Sequence, residues 1–179
     1  PGVIYLRDST TANGGYRYMT DIGAYRITGN ENTEFIFKPV SVRSTASFRL
    51  GFQDSTAIQT APTDGVWLNV VGNATNPILS GKTRNNGTES TTGTTYTLTA
   101  NTWYRAKIEV NSDATLITFT LYSESGTQLW QQTLNANIPK TAGRETGWGI
   151  IAGETSTDAA ADIVYMDYAN LSINRTLTR

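Results

Sequence analysis

Alternation of apolar and polar residues runs through most of the chain and limits what it can fold into. Phe48, Leu50 and Phe52 are spaced two residues apart, and the same spacing recurs in residues 65–71 and 103–110. A period of two places successive side chains on opposite faces of a β-strand. No helical period continues for ten residues. The pattern therefore predicts strands that each have one buried face and one solvent-facing face.

About a dozen strands are too many for one flat sheet, so two antiparallel sheets should stack around a shared core. The predicted strands span residues 3–7, 24–28, 34–38, 46–52, 65–71, 78–84, 94–99, 103–110, 115–122, 127–132, 148–153 and 163–173. Broken alternation in the last strand predicts a bulge near Asp167 or burial on both faces. The Thr-, Ser- and Gly-rich stretch 87–95 is interpreted as a mobile loop. We expect one all-β sandwich domain over residues 1–179, excised from a longer chain.

Missing residue types exclude several kinds of chemistry. The sequence has no Cys and no His, which removes disulfides, thiolate zinc sites and the Ser-His-Asp triad. The formal net charge is -1 and no cluster of Lys and Arg occurs, so we expect no nucleic-acid partner. No run approaches the ~20 apolar residues of a membrane helix, so we expect no membrane insertion.

Three segments, in order, resemble the concanavalin A-like jelly-roll superfamily, which includes laminin G-like and legume-lectin-like domains. They are Phe52-Gln53-Asp54 leading to Asp64-Gly65-Val66-Trp67, then residues 101–110, then Phe119-Thr120-Leu121-Tyr122 followed by Gly126. The strand Trp103-Tyr104-Arg105-Ala106-Lys107-Ile108-Glu109-Val110 carries most of the resemblance. The pattern covers residues 46–135. It implies a two-sheet antiparallel jelly-roll β-sandwich.

The Thr-, Asn- and Gly-rich texture without Cys is similar to that of bacteriophage tail fibre, tailspike and head fibre domains. This similarity implies a virion or extracellular location and a role in attachment to a host surface. It also implies a homo-oligomer such as a trimer. A glycan or a bacterial surface polysaccharide is the partner that such a role implies.

The same superfamily contains glycoside hydrolases and polysaccharide lyases, and their motifs are missing here. The Glu-x-Asp-x-Glu strand of one hydrolase family has its nearest match in residues 105–109, where Glu109 is the one carboxylate. The Gln-Ile-His motif of alginate lyases requires a His, and this sequence has none. These departures favour a protein that is not an enzyme. An enzyme would have to use two carboxylates, such as Glu109 or Glu154, or a base such as Tyr104 or Tyr165.

Outward-facing aromatic residues beside polar groups are the candidate ligand-binding residues. Sugar recognition uses flat apolar rings together with fixed hydrogen-bonding partners. The residues with outward parity are Arg49, Trp67, Asn69, Trp103 and Arg105. Residues 46–52 and 65–71 should pair as a hairpin, which places Arg49 near Trp67 or Asn69. The alternative is that loops cover these Trp rings as a second small core. For Trp148, between two glycines, we expect a packing role.

A calcium site would need several oxygen ligands from loops. Asp54 and Asp64 flank one loop and are the metal-site candidates, with Asp158 and Asp162 later in the chain. No segment has regular ligand spacing, and loop Asp residues also form Asx turns. We expect no cofactor, with calcium left open.

These observations favour a non-catalytic carbohydrate- or host-surface-binding module of a virion attachment protein. One alternative is a structural virion decoration or oligomerisation domain without its own ligand. The other alternative is a polysaccharide-cleaving enzyme.

Overall fold

The computed structural model describes residues 2–7, 14–73, 76–154 and 163–173, and these form thirteen β-strands. The strands are β1 (Ile4–Arg7), β2 (Gly15–Met19), β3 (Glu31–Ser41), β4 (Ala46–Gln53), β5 (Gly65–Val71), β6 (Ile78–Asn85), β7 (Thr88–Thr91), β8 (Tyr96–Thr97), β9 (Tyr104–Val110), β10 (Ile117–Ser123), β11 (Gln128–Leu134), β12 (Gly147–Glu154) and β13 (Ile163–Ile173). Within these ranges, no helix is long and apolar enough to cross a membrane.

The strands form two antiparallel sheets. The six-stranded sheet has the order β1-β13-β3-β9-β10-β11. The seven-stranded sheet has the order β2-β12-β4-β5-β6-β7, with the short β8 paired to β6. The prediction of a two-sheet antiparallel sandwich is confirmed. Each sheet buries one face against the other and leaves one outer face.

The shared core is built from the inward-facing residues of both sheets, as the alternation predicts. Phe37 of β3 and Phe48 of β4 meet edge to face, with ring centroids 5.7 Å apart. At another point in the core, Trp148 stacks on Phe35 at 5.7 Å. Its indole Nε1 donates a hydrogen bond to Thr33 Oγ1 at 2.6 Å. The predicted packing role of Trp148 is therefore confirmed.

Turn chemistry explains the main departure from the predicted strands. Asn86 and Gly87 both have positive φ, 50° and 79°, which matches the two-residue turn that joins tight hairpins. The chain therefore returns as β7 beside β6, and the interpretation of 87–95 as a mobile loop is wrong for residues 88–91.

Two further differences lie at the other edge of the seven-stranded sheet. The prediction missed β2, which pairs with β12. The predicted strand 24–28 is reduced to one bridge, between Tyr25 and Thr146. Its flanking residues Gly23 and Gly29 have φ of 95° and 112°, so the backbone leaves the extended conformation at both ends. The predicted bulge is confirmed, because the register of β13 shifts at Asp167.

Replacement of Gly81 should test the packing of the core. A Cβ atom there would lie 2.6 Å from Cδ2 of Phe119, whose ring fills the space between the sheets. We expect Gly81→Ala to lower the free energy of unfolding by about 1–3 kcal/mol, because a packed core has no room for it. At Gly93 a Cβ atom meets nothing within 4 Å, so Gly93→Ala is the matched control. Equal denaturant midpoints for the two variants would contradict this packing.

Candidate functional site

The outer face of the seven-stranded sheet carries Arg49, Trp67 and Asn69, as their parity predicts. Strands β4 and β5 pair so that Arg49 lies opposite Asn69, and Gly51 lies opposite Trp67. The guanidinium carbon of Arg49 is 5.9 Å from the centre of the Trp67 ring. The predicted hairpin and the predicted neighbourhood of these side chains are confirmed.

Their expected exposure is wrong. Trp67 is 1% exposed, and Arg49 and Asn69 are each 9% exposed. The segment 54–64, which joins β4 to β5, provides part of the cover: Arg49 Nη2 donates to the Ile58 carbonyl at 2.8 Å, and Nη1 donates to the Thr60 carbonyl at 3.0 Å. A period of two identifies the face of a side chain, but not what covers that face.

A second small core lies on this face. Ile58, Trp67 and Ile151 are buried, but they are not part of the core between the sheets. This is the covering-loop alternative considered for the Trp rings. Burial lowers the pKa of the Arg49 guanidinium to about 10, because it removes water from the charged form. A ligand-binding role for Arg49, Trp67 and Asn69 stays a prediction and requires segment 54–64 to move.

The outer face of the six-stranded sheet is more open and carries Trp103 and Arg105. The ammonium of Lys38 lies 5.1 Å from the Trp103 ring centre and 4.8 Å from that of Tyr165. Tyr165 in turn contacts Tyr5, with ring centroids 5.4 Å apart. We call the set Tyr5, Tyr165, Lys38 and Trp103 the aromatic row. It extends across the sheet from β1 to the start of β9.

A neighbouring contact on the same face fixes Arg105. Its guanidinium carbon lies 4.3 Å from the centre of the Tyr122 ring on β10. Its Nη1 lies 3.5 Å from Glu34 Oε2 on β3. Three adjacent strands therefore hold this side chain in one place on the surface.

A cavity of about 350 Å³ opens beside Trp103. Its lining consists of Val3, Ile36, Trp103, Tyr104, Glu124 and Asp167. The Tyr104 hydroxyl oxygen accepts a hydrogen bond from the Thr99 backbone N–H at 2.8 Å, so its position is fixed. Trp103 supplies an aromatic wall, and Glu124 and Asp167 supply hydrogen-bond acceptors. This combination is suited to a ligand with an apolar face and hydroxyl donors.

Sequence reasoning found Trp103 and Arg105 on this face, named Tyr165 only as a candidate base, and missed Lys38 and Tyr5. The inward parity of Phe35 and Phe37 was a sufficient signal for Lys38, which must then point outward. Tyr165 was harder to assign, because the bulge at Asp167 breaks the alternation of its strand. The partnership of Tyr5 with Tyr165 depends on the pairing of β1 with β13, at opposite ends of the chain.

The metal-site candidates close loops in this structure. The Asp54 backbone N–H donates to the Asp64 carbonyl at 3.1 Å, so these residues face each other across the hairpin mouth as expected. Asp54 Oδ1 accepts the Thr63 N–H, while Asp64 binds the Asn86 N–H and Arg144. Among the described residues, no group of three or more acidic side chains could hold a metal ion. Asp158 and Asp162 lie outside the described residues.

The acidic residues considered for catalysis are not brought together. Glu109 lies on β9 of the six-stranded sheet, where its carboxylate pairs with Lys107 at 2.8 Å. Glu154 is buried at the end of β12 in the other sheet and pairs with Arg43 at 2.9 Å. Of the two candidate bases, Tyr104 lines the cavity and Tyr165 belongs to the aromatic row.

Comparison with known proteins identifies both the family and the fold. Residues 1–167 match the family described as SO2946-like, C-terminal domain. A solved protein of unknown function, SO2946 from Shewanella oneidensis MR-1, has a TM-score of 0.69 and 23% identity. The match covers 99% of this chain and 73% of the SO2946 chain. No curated protein matches the sequence significantly.

Two further solved structures share the fold. The CBM2 module of the evolved Dit of Lactobacillus casei BL23 phage J-1 has a TM-score of 0.57 and 13% identity, covering 96% of this chain and 78% of its own. Alginate lyase A1-II′ has a TM-score of 0.59 and 14% identity. The match covers 96% of this chain and 79% of the lyase chain. At these identities the likeness concerns the fold. It confirms the prediction of a two-sheet antiparallel jelly-roll β-sandwich.

Tryptophan quenching should distinguish the covered face from the open one. The chain has four tryptophans, of which Trp67 and Trp130 are buried and Trp103 and Trp148 are partly exposed. We expect Trp103→Phe to lower the fraction of emission that iodide quenches, because it removes an accessible ring. Trp67→Phe should raise that fraction, because it removes a shielded ring. A lower quenched fraction in Trp67→Phe would show that segment 54–64 does not cover this face.

Proposed function

This chain belongs to the SO2946-like C-terminal domain family, and from that premise we propose that it is a non-catalytic module that binds carbohydrate. The proposed binding surface is the outer face of the six-stranded sheet. The observation that carries the proposal is the cavity of about 350 Å³ with Trp103 as its aromatic wall, next to the aromatic row. The volume lies within the range of roughly 300–1,000 Å³ that is usual for small-molecule sites.

The chemistry of the cavity suits a sugar ring. One face of a pyranose carries C–H groups that pack on an aromatic ring, and its hydroxyls donate hydrogen bonds at the rim. Trp103 offers the ring, while Glu124 and Asp167 offer carboxylate oxygens that accept such bonds. Ile36 and Val3 extend the apolar wall. A neutral, hydroxyl-rich sugar is the ligand that this lining favours, because two carboxylates repel an anionic one.

The surface around the cavity is pre-organised. Lys38 is held between two rings, and Arg105 is held by Tyr122 and Glu34. Side chains that are fixed before binding lose less rotamer entropy when a ligand arrives. This supports a binding role that needs no rearrangement of the sheet.

We further propose that the module acts in a virion or outside the cell, on a bacterial surface polysaccharide, and as a homo-oligomer such as a trimer. The shared fold with the CBM2 module of a phage Dit supports this proposal. Repeated weak sites on one particle would raise the avidity for a polymeric surface without any new contact. Light scattering of the purified chain tests the oligomer, and a monomer at high concentration would contradict it.

A polysaccharide-cleaving enzyme is the second candidate, because Glu124 and Asp167 line the same cavity. Most glycosidases require two carboxylates that face the sugar. The fold shared with an alginate lyase is compatible with it. Release of reducing ends from a polysaccharide, abolished in Glu124→Gln, would establish this function in place of binding alone.

Removal of the Trp103 ring should weaken glycan binding. On a glycan array followed by calorimetry with the best ligand, we expect Trp103→Ala to raise Kd about tenfold, which corresponds to ~1.4 kcal/mol. Leu116→Ala is the control, since Leu116 is an exposed apolar residue in the turn between β9 and β10. Unchanged affinity in Trp103→Ala would exclude this cavity as the site. An array without any binder, tested with the assembled oligomer, would contradict the function.

A further inference from the structure

Three nitrogen-bearing side chains lie together on the outer face of the seven-stranded sheet, opposite to the proposed sugar site. Arg49 and Gln53 are on β4, and Trp67 is on β5. Arg49 lies over the Trp67 ring, and its Nη1 lies 3.4 Å from Gln53 Oε1. Gln53 is 0% exposed and Trp67 is 1% exposed. We call these three side chains the donor cluster.

The donor cluster has more N–H groups than acceptors. Within the described part of the chain, Gln53 Nε2 and Trp67 Nε1 are buried without any hydrogen-bond partner. Arg49 forms no ion pair with a described carboxylate, and its acceptors are the carbonyls of Ile58 and Thr60 and the Gln53 amide oxygen. Buried donors without acceptors and a buried cation without an anion both reduce stability. Their concentration in one place indicates that these side chains have a functional role rather than a stabilising one.

We propose that the donor cluster binds the anionic group of an acidic glycan, a carboxylate or a sulfate, and that segment 54–64 occupies the site when no ligand is present. The carbonyl oxygens of Ile58 and Thr60 stand where the ligand's oxygens would lie. A carboxylate offers two acceptor oxygens in the fork geometry that a guanidinium matches. Charge-assisted bonds of this kind are stronger than those to neutral carbonyls, so the anion competes with the segment.

A second cation on the same face extends the site. Arg17 of β2 lies opposite Ile151 of β12, which lies opposite Arg49 of β4. The backbones of the two arginines are two strand spacings apart, a distance of about 10 Å. Arg17 also lines a cavity of about 250 Å³ whose other wall is residues 56–59 of the covering segment. A polyanion drawn to Arg17 therefore lies directly against the segment that covers Arg49.

The other basic residues of this face are already neutralised. The ammonium of Lys82 lies 2.6 Å from Glu89, and Arg84 lies 3.9 Å from the same carboxylate. Arg17 and Arg49 have no such partner among the described residues, so they are the cations that an anionic ligand would meet.

The end of the covering segment is held by Thr63 and Asp64, which bind the turn after β6 and Arg144. Its middle has fewer contacts: apart from the Arg49 bonds, Ile58 packs against Gly153 of β12, and Gln59 Nε2 donates to the Glu154 carbonyl at 2.8 Å. The side chain of Ile58, which is 4% exposed, is an apolar anchor of the segment. Weakening that anchor should favour the open segment, and thereby raise the apparent affinity for a ligand that binds beneath it.

The test compares oligogalacturonate with a neutral oligosaccharide of equal length by calorimetry and tryptophan fluorescence. We expect Arg49→Gln to weaken oligogalacturonate binding at least tenfold. Ile58→Ser should strengthen it roughly tenfold, because the competing segment opens more easily. Exposed Lys140 provides the charge-matched control Lys140→Gln, which should leave binding unchanged. Trp103→Ala should also leave it unchanged, which separates this site from the proposed sugar site.

Two results would overturn the proposal. If Ile58→Ser folds, as judged by circular dichroism, and binds oligogalacturonate no better than the native chain, segment 54–64 does not compete with the ligand. If inorganic sulfate and acetate produce the same response as oligogalacturonate at equal charge concentration, the cluster holds an adventitious ion only. Because Arg49→Gln alone could disturb folding, the gain of affinity in Ile58→Ser is the decisive measurement.

Discussion

Most of the described strands bury one apolar row, and that requirement shapes the rest of the structure. A single sheet would leave those rows in water, so two sheets face each other and share one core. The contact between Phe37 of one sheet and Phe48 of the other shows how closely the two inner faces approach. The same arrangement leaves two outer faces, and the two proposed ligand surfaces lie on them.

The two outer faces differ in their exposure to solvent. On the seven-stranded sheet, segment 54–64 lies over Arg49, which in turn lies over the buried Trp67 ring. On the six-stranded sheet, Lys38 and Arg105 lie over aromatic rings that remain partly in contact with water. Each cation–π contact in such a setting contributes about 0.5–1 kcal/mol and also fixes the side chain in place. The outer face of the six-stranded sheet is therefore accessible to a ligand in this conformation. The outer face of the seven-stranded sheet requires a local rearrangement.

Much of this could be predicted from the sequence, because period-two alternation determines which side chains share a face. The bounds of β5, the outward parity of Trp67 and Arg105, and the bulge at Asp167 all follow from it. The burial of Trp67 could not be predicted, since no local pattern states that residues between two strands fold back over them. Tyr5 could not be assigned to the site either, because its position depends on pairing between the two ends of the chain.

The central claim is that the open face around Trp103 is the carbohydrate surface of this fold. Chemical-shift mapping of the isotope-labelled protein during titration with its best neutral glycan tests that claim most directly. The account predicts that shifts concentrate at Lys38, Trp103, Arg105 and the strands beside them, while segment 54–64 stays unchanged. Shifts confined to segment 54–64 and β5 would contradict it.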